Sequence, residues 1–180
     1  MVKPIRIILN DAEVGWSDGT ARIRQDMAEQ RGNRARNRAP TDRETALKAH
    51  VVGCRTELAG KRFLDPIHWH SLNDSRGRNK TPDLGELIDV KGVDERYKRL
   101  ILQSDDIKDR GHWIFWLIDM IDTHTYDCCG WCYGKEAGVI DQSDPSGRNR
   151  SAHFIARNHE IMKPPEALIQ LTRRPNNEKP

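Results

Sequence analysis

A fold that mixes helices with strands is predicted by three observations on this chain. Thr41-Asp-Arg-Glu44 has the form of a capping box, and Leu47, Val51, Cys54 and Leu58 then recur at spacings of four, three and four, the core stripe of a helix. Trp113-Ile-Phe-Trp-Leu-Ile118 is apolar at consecutive positions, as in a strand buried on both faces and therefore central to its sheet. Between them, Ile88-Asp-Val-Lys91 alternates apolar and polar residues in the two-residue period of a strand with one buried face.

With 180 residues and 36% hydrophobic content, the chain is long enough for one core. The expected division is an N-terminal segment over 1–40, a core over 41–172 and a flexible tail over 173–180. The 30 basic and 27 acidic residues leave a net charge of +3, too balanced to argue for a nucleic-acid partner without regard to distribution. Four cysteines, three of them clustered, do not make a secreted disulfide framework, and Met1 to Asn10 lacks a long apolar signal core, so a cytoplasmic location is expected. The strongest apolar run stops at Asp119, far short of the ~20 residues of a membrane helix, and no membrane partner is expected.

Taken in order, Ile5 to Leu9 suits a short strand or an extended docking segment, and Asp11 to Gln30 is polar with weak helical character. Arg31 to Arg38 lacks hydrophobic periodicity and carries Arg34, Arg36 and Arg38, a basic loop that either contacts phosphates or is a solvated linker. The capped helix should run from Thr41 to about Phe63, ended by Asp65-Pro66. Within it Gly53 and Gly60 each cost about 1 kcal/mol relative to alanine, which suggests close packing around Glu57, a residue type otherwise found mostly at the surface. His68 and His70 share a side if extended, but no third ligand at a characteristic spacing accompanies them. Asn73 to Lys80 is a second polar and basic loop; if it faces a polyanion, Arg76, Arg78 and Lys80 would hold phosphates near the acidic residues that follow.

Leu84 to Lys91 is expected to be a turn-linked strand pair bent at Gly85 and ended by Gly92. Leu100 to Leu102 forms another strand, Ser104 to Arg110 a polar turn, and Thr123 to Tyr133 a neighbour of the central strand. Gly134 to Ile140 suits a short helix or a turn, Asp141 to Arg150 a loop, and Ala152 to Ala156 a last strand. Pro164-Pro165 can begin a short helix over Glu166 to Leu171, since proline in a first turn loses no needed hydrogen bond.

Chemistry concentrates in Asp83, Asp89 and Lys91. On a strand Asp89 and Lys91 point one way while Ile88 and Val90 point into a core. Two acidic oxygens suit a hard divalent cation, and a neighbouring ammonium can position or deprotonate a water. The competing explanation is an exposed ion pair on a surface strand, worth about 0–1 kcal/mol. His124, Cys128, Cys129 and Cys132 contain one Cys-x-x-Cys pair, but the second pair of a zinc site is missing, and Trp131 and Tyr133 alternate with the cysteines as in a half-buried strand.

Gly53-x-x-x-Glu57-Leu58-Ala59 on a helix, followed by Pro82-Asp83-Leu84-Gly85 and Asp89-Val90-Lys91, resembles the PD-(D/E)xK nuclease superfamily, and more narrowly its small phage-type members. The resemblance covers Leu47 to about Ile121; one departure is Asp89, where those members often carry glutamate. It implies an α/β fold with a restriction-endonuclease-like core, a central mixed sheet flanked by helices. It also implies magnesium or manganese held by Asp83, Asp89 and the Val90 carbonyl, with Glu57 completing the site directly or through water and Lys91 orienting or activating a water. The implied activity is hydrolysis of nucleic-acid phosphodiesters, with DNA the expected partner and an endonuclease the expected type, in the cytoplasm of a host if phage-encoded. An inactive nucleic-acid- or protein-binding module on the same fold is the alternative, and a homodimer is among the open oligomeric states.

Overall fold

The computed structural model describes residues 2–30, 42–64, 82–85, 87–94, 99–138 and 152–172. The basic positions Arg34, Arg36, Arg38, Arg76, Arg78 and Lys80, the His68/His70 pair, Thr41 and the 173–180 tail lie outside them.

The order of elements is β1 (Ile5–Ile8), α1 (Asp11–Gln30), α2 (Arg43–Leu64), β2 (Ile88–Asp94), β3 (Arg99–Gln103), α3 (Ser104–Arg110), β4 (Ile114–Met120), β5 (Thr125–Tyr133), α4 (Gly134–Ala137), β6 (Ala152–Ala156) and α5 (Glu166–Thr172). Four strands form a mixed sheet in the order β1-β5-β4-β2, in which β2 runs parallel to β4 and the other neighbours are antiparallel. β3 and β6 make a separate antiparallel pair. The protein is thus mixed α/β, with a mixed four-stranded sheet flanked by helices. No helix among the described residues is long and apolar enough to cross a membrane.

The two-faced character expected of Trp113 to Ile118 is realised in β4. Its alternate side chains Ile114, Trp116 and Ile118 join Leu58, Ala59, Ile88, Val90 and Leu168 in one core, with α2 and α5, while Phe115 and Leu117 join Leu100, Leu102, Ala137 and Ile155 in a second. The mixed sheet therefore separates helices α2 and α5 from the β3-β6 pair.

Helix α2 starts where the sequence places it, but its cap is one residue on. Asp42 Oδ1 accepts a hydrogen bond from the Thr45 amide at 2.8 Å, and its Oδ2 accepts one from the Thr45 hydroxyl at 2.9 Å. Cys54 and Leu58 are buried, whereas Leu47 and Val51 are only half-buried, so the stripe deepens toward the C-terminal half of α2.

Three expectations need correction. The weakly helical 11–30 stretch is a 20-residue helix, started by a reciprocal cap in which Asn10 Oδ1 accepts from the Glu13 amide and Glu13 Oε2 accepts from the Asn10 amide. Its buried side chains, Glu13, Val14, Ser17, Ala21 and Gln25, recur at helical spacing but apart from Val14 are small or polar, so an apolar periodicity does not reveal them. Ser104 to Arg110 is helix α3 rather than a turn. Gly92 does not end β2: the strand runs on to Asp94, and Gly92 lies where a Cβ would stand 2.1 Å from Thr56 Oγ1 on α2. What the glycine supplies is contact between helix and strand.

The paired glycines of α2 differ in the same currency. A Cβ on Gly60 would meet Trp116, Ile118 and Leu84 at 3.0 to 3.3 Å, whereas one on Gly53 meets only Glu57 Oε1 at 4.0 Å. Close packing explains Gly60 and not Gly53. Gly53→Ala is accordingly expected to stabilise the protein by about 0.4–1 kcal/mol and Gly60→Ala to destabilise it by about 1–3 kcal/mol, as read by urea unfolding. Equal effects of the two would contradict the packing described.

Candidate active site

The turn into β2 is tighter than the expected strand pair. Leu84 and Ile88 exchange backbone hydrogen bonds of 2.9 and 3.2 Å in a single antiparallel bridge, and Gly85 takes φ 58°, the left-handed conformation that favours glycine. This brings Asp83 back along β2, where its Oδ2 accepts from the Val90 amide at 2.8 Å. β2 is the last strand of its sheet among the described residues, so the Val90 amide faces away from β4. In a strand the N–H and C=O of one residue point to the same side, and the Val90 carbonyl therefore shares that edge with Asp83.

Alternation places the remaining groups as the sequence predicts. Ile88 and Val90 enter the core beside α2, and Asp89 and Lys91 take the opposite face. Lys91 Nζ stands 2.5 Å from Asp89 Oδ2 and 5.5 Å from the centre of the Phe115 ring. Asp89 is 8% exposed, and its Oδ2 makes no contact of full hydrogen-bond geometry despite the nearby ammonium.

Glu57 reaches the same neighbourhood from α2 and is 7% exposed. Burial first, then the charges of Glu57 and Asp89 and a hydrogen bond shared with Asp89, push the Asp83 carboxyl up to about 8, against the lowering effect of the Val90 amide. Asp83 therefore feels the charge of both other carboxylates. The three do not form a ready-made cage: among the described residues no three His, Cys, Asp or Glu side chains are grouped so as to hold a metal ion.

Glu57 is held by a residue the sequence did not single out. Arg24 of α1 donates from Nη1 and Nη2 to Glu57 Oε1 and Oε2, each at 2.7 Å, a fork-to-fork pair in which the side chains are 11% and 9% exposed. Lys61, one turn beyond Glu57 on α2, is half-buried, and burial holds its ammonium below the usual lysine value while Glu57 and Asp83 pull it upward. Arg24 belongs to a row of ionic contacts between α1 and α2. Arg55 pairs bidentately with Asp18 at 2.7 Å, and Arg62 Nη1 donates to both Glu13 oxygens and to the Ile8 carbonyl. The available signal was the Asn10-x-x-Glu13 cap with the small stripe Ser17, Ala21 and Gln25 behind it, which together mark a packed helix.

The donor set fits a hard cation in part. Asp83, Asp89 and the Val90 carbonyl are all oxygen donors, the type magnesium or manganese requires, and the buried Asp89 Oδ2 has an ionic contact with Lys91 but no full hydrogen bond. Glu57 has both oxygens engaged by Arg24.

The cysteine cluster is arranged differently. Cys128 packs in the core beside α2, and Cys129 and Cys132 in the core on the other face, so β5 divides them. Burial pushes Cys54, Cys129 and Cys132 up to about 12 and raises Cys128 as well, which keeps all four as thiols at neutral pH. His124 is engaged with Asp11, its Nε2 lying 2.9 Å from Oδ1. Neither a family model, nor a curated protein, nor a solved structure matches this chain.

Proposed function

We propose that this protein is a metal-dependent nuclease of restriction-endonuclease type that hydrolyses nucleic-acid phosphodiesters, with DNA as substrate and internal cleavage as its mode. The observation that carries this reading is the convergence of Asp83, Asp89 and Lys91 along β2, with the Asp83 carboxyl raised to about 8 by burial and by the charges of Glu57 and Asp89. Crowded carboxylates beside an ammonium are costly to maintain in a fold unless a cation or a reaction uses them.

Asp83, Asp89 and the Val90 carbonyl would hold magnesium or manganese, which when bound stabilises negative charge on the phosphate and on the departing oxygen. Lys91, at 2.5 Å from Asp89, would orient a water and stabilise the negative charge it develops. Asp83 keeps the Val90 backbone in place through its accepted hydrogen bond. Arg76, Arg78 and Lys80 precede Asp83 directly in the chain and are assigned to backbone phosphates, as are Arg34, Arg36 and Arg38. Such contacts position a substrate without reading its bases.

The test is incubation of labelled single-stranded, duplex and junction DNA and RNA with the protein in magnesium, in manganese and in EDTA. Metal-dependent cleavage that is absent in EDTA is expected. If nothing is cut, yet the protein binds DNA with a steep salt dependence and no divalent cation, it is a binding module instead.

A further inference from the structure

Resting on that reading, we propose that Arg24 is a positioning residue of the site, one that keeps Glu57 as a buried counter-charge rather than a ligand, so that the cation is held by Asp83, Asp89 and the Val90 carbonyl.

Three observations lead there. Both Glu57 oxygens are bound by the Arg24 fork at 2.7 Å, with both side chains almost fully covered, so ligation by Glu57 requires a buried, bidentate pair to come apart. Glu57 and Asp89 approach from opposite sides of β2: Thr56, the neighbour of Glu57, packs on Gly92 from the α2 side, while Lys91, on the Asp89 face, lies over Phe115 in the other core. Asp83 is acted on by both carboxylates. Finally, Arg24 is fixed by its own scaffold, since α1 is tied to α2 by the Asp18–Arg55 and Glu13–Arg62 pairs on the same interface. A guanidinium held by such a frame does not follow Glu57 toward an ion.

The consequence is a division of labour by charge. Arg24 neutralises Glu57 in the protein without metal, and the Arg24–Glu57 unit as a whole is electrically neutral toward the cation. Removing the unit together should leave the cation where it is. Removing only Arg24 should release a carboxylate beside the site.

Manganese and magnesium affinity of EDTA-treated protein, measured by titration calorimetry without nucleic acid, tests this apart from catalysis. Arg24→Gln/Glu57→Gln, in which the two amides can still hydrogen-bond, is expected to bind manganese within about threefold of the parent. Arg24→Gln alone is expected to bind it about tenfold more tightly, since Glu57 becomes available and a positive charge is gone. Circular dichroism identifies folded variants, and the double variant suffices should Arg24→Gln not fold. A loss of tenfold or more in the double variant makes Glu57 a ligand and overturns the inference while leaving the nuclease reading intact. A parent that binds neither metal at millimolar concentration overturns both.

Discussion

Lys91→Ala is expected to slow phosphodiester cleavage by about 10²–10⁴-fold, the range over which a positioned catalytic group contributes, with circular dichroism and nucleic-acid binding little changed. The asymmetry follows from where Lys91 sits. Its side chain is 28% exposed and its partners are Asp89 at 2.5 Å and the face of Phe115, so the contribution of the ion pair to folding is small after solvent screening, about 1 kcal/mol or less. Lys91→Arg should be almost as impaired, because a planar guanidinium keeps the charge but does not place its donors where the compact ammonium does. Cleavage by Lys91→Ala at the parent rate, in magnesium and at saturating substrate, would remove Lys91 from the chemistry.

Asp83→Asn has the other large effect, and it acts in two directions. Cleavage should fall at least a hundredfold, while the metal-free protein becomes more resistant to urea at alkaline pH. In the folded parent the Asp83 carboxyl titrates at about 8, raised by burial, Glu57 and Asp89, whereas in the unfolded chain an aspartate titrates at about 3.9. Below pH 4 both states are protonated and the stability is fully present. Between pH 4 and 8 the unfolded chain has released a proton that the folded protein retains, so parental stability declines as pH rises. Asparagine carries no such proton and keeps an oxygen for the Val90 amide. The stability difference between variant and parent should therefore grow from pH 4 to 8 in EDTA and level off above, and magnesium should narrow it by stabilising the parent. Parallel stability curves across that window would show that Asp83 is not under the strain described.

Much of this site was legible in the sequence because its parts are local. Asp83, Asp89 and Lys91 fall within nine positions, the alternation of β2 sets their faces, and Glu57 lies on a helix whose start and period are both written in the chain. Arg24 was not legible, for the opposite reason. Beyond Val14, α1 is buried through Ser17, Ala21, Gln25 and ion pairs rather than through a stripe of large apolar residues, and Glu57, the partner of Arg24, is 33 residues away. Gly92 misled in a similar manner: a glycine in a strand suggests an ending, and only the Thr56 side chain, supplied by another element, explains its place inside β2. The pairing of β3 with β6 joins segments about fifty residues apart, beyond what periodicity within either segment can specify.

The position of β2 at the margin of its sheet, among the described residues, has a consequence for self-association. A marginal strand offers its backbone groups to any passing strand, including that of a second molecule. Here Asp83 occupies the Val90 amide, the Leu84–Ile88 bridge takes the groups beside it, and Asp89 and Lys91 place charges along the segment. The groups proposed for catalysis are thus also expected to keep β2 from templating an intermolecular sheet. Variants that strip several of them at once, such as Asp83→Ala with Asp89→Ala, would be inactive for a reason apart from chemistry, by aggregating.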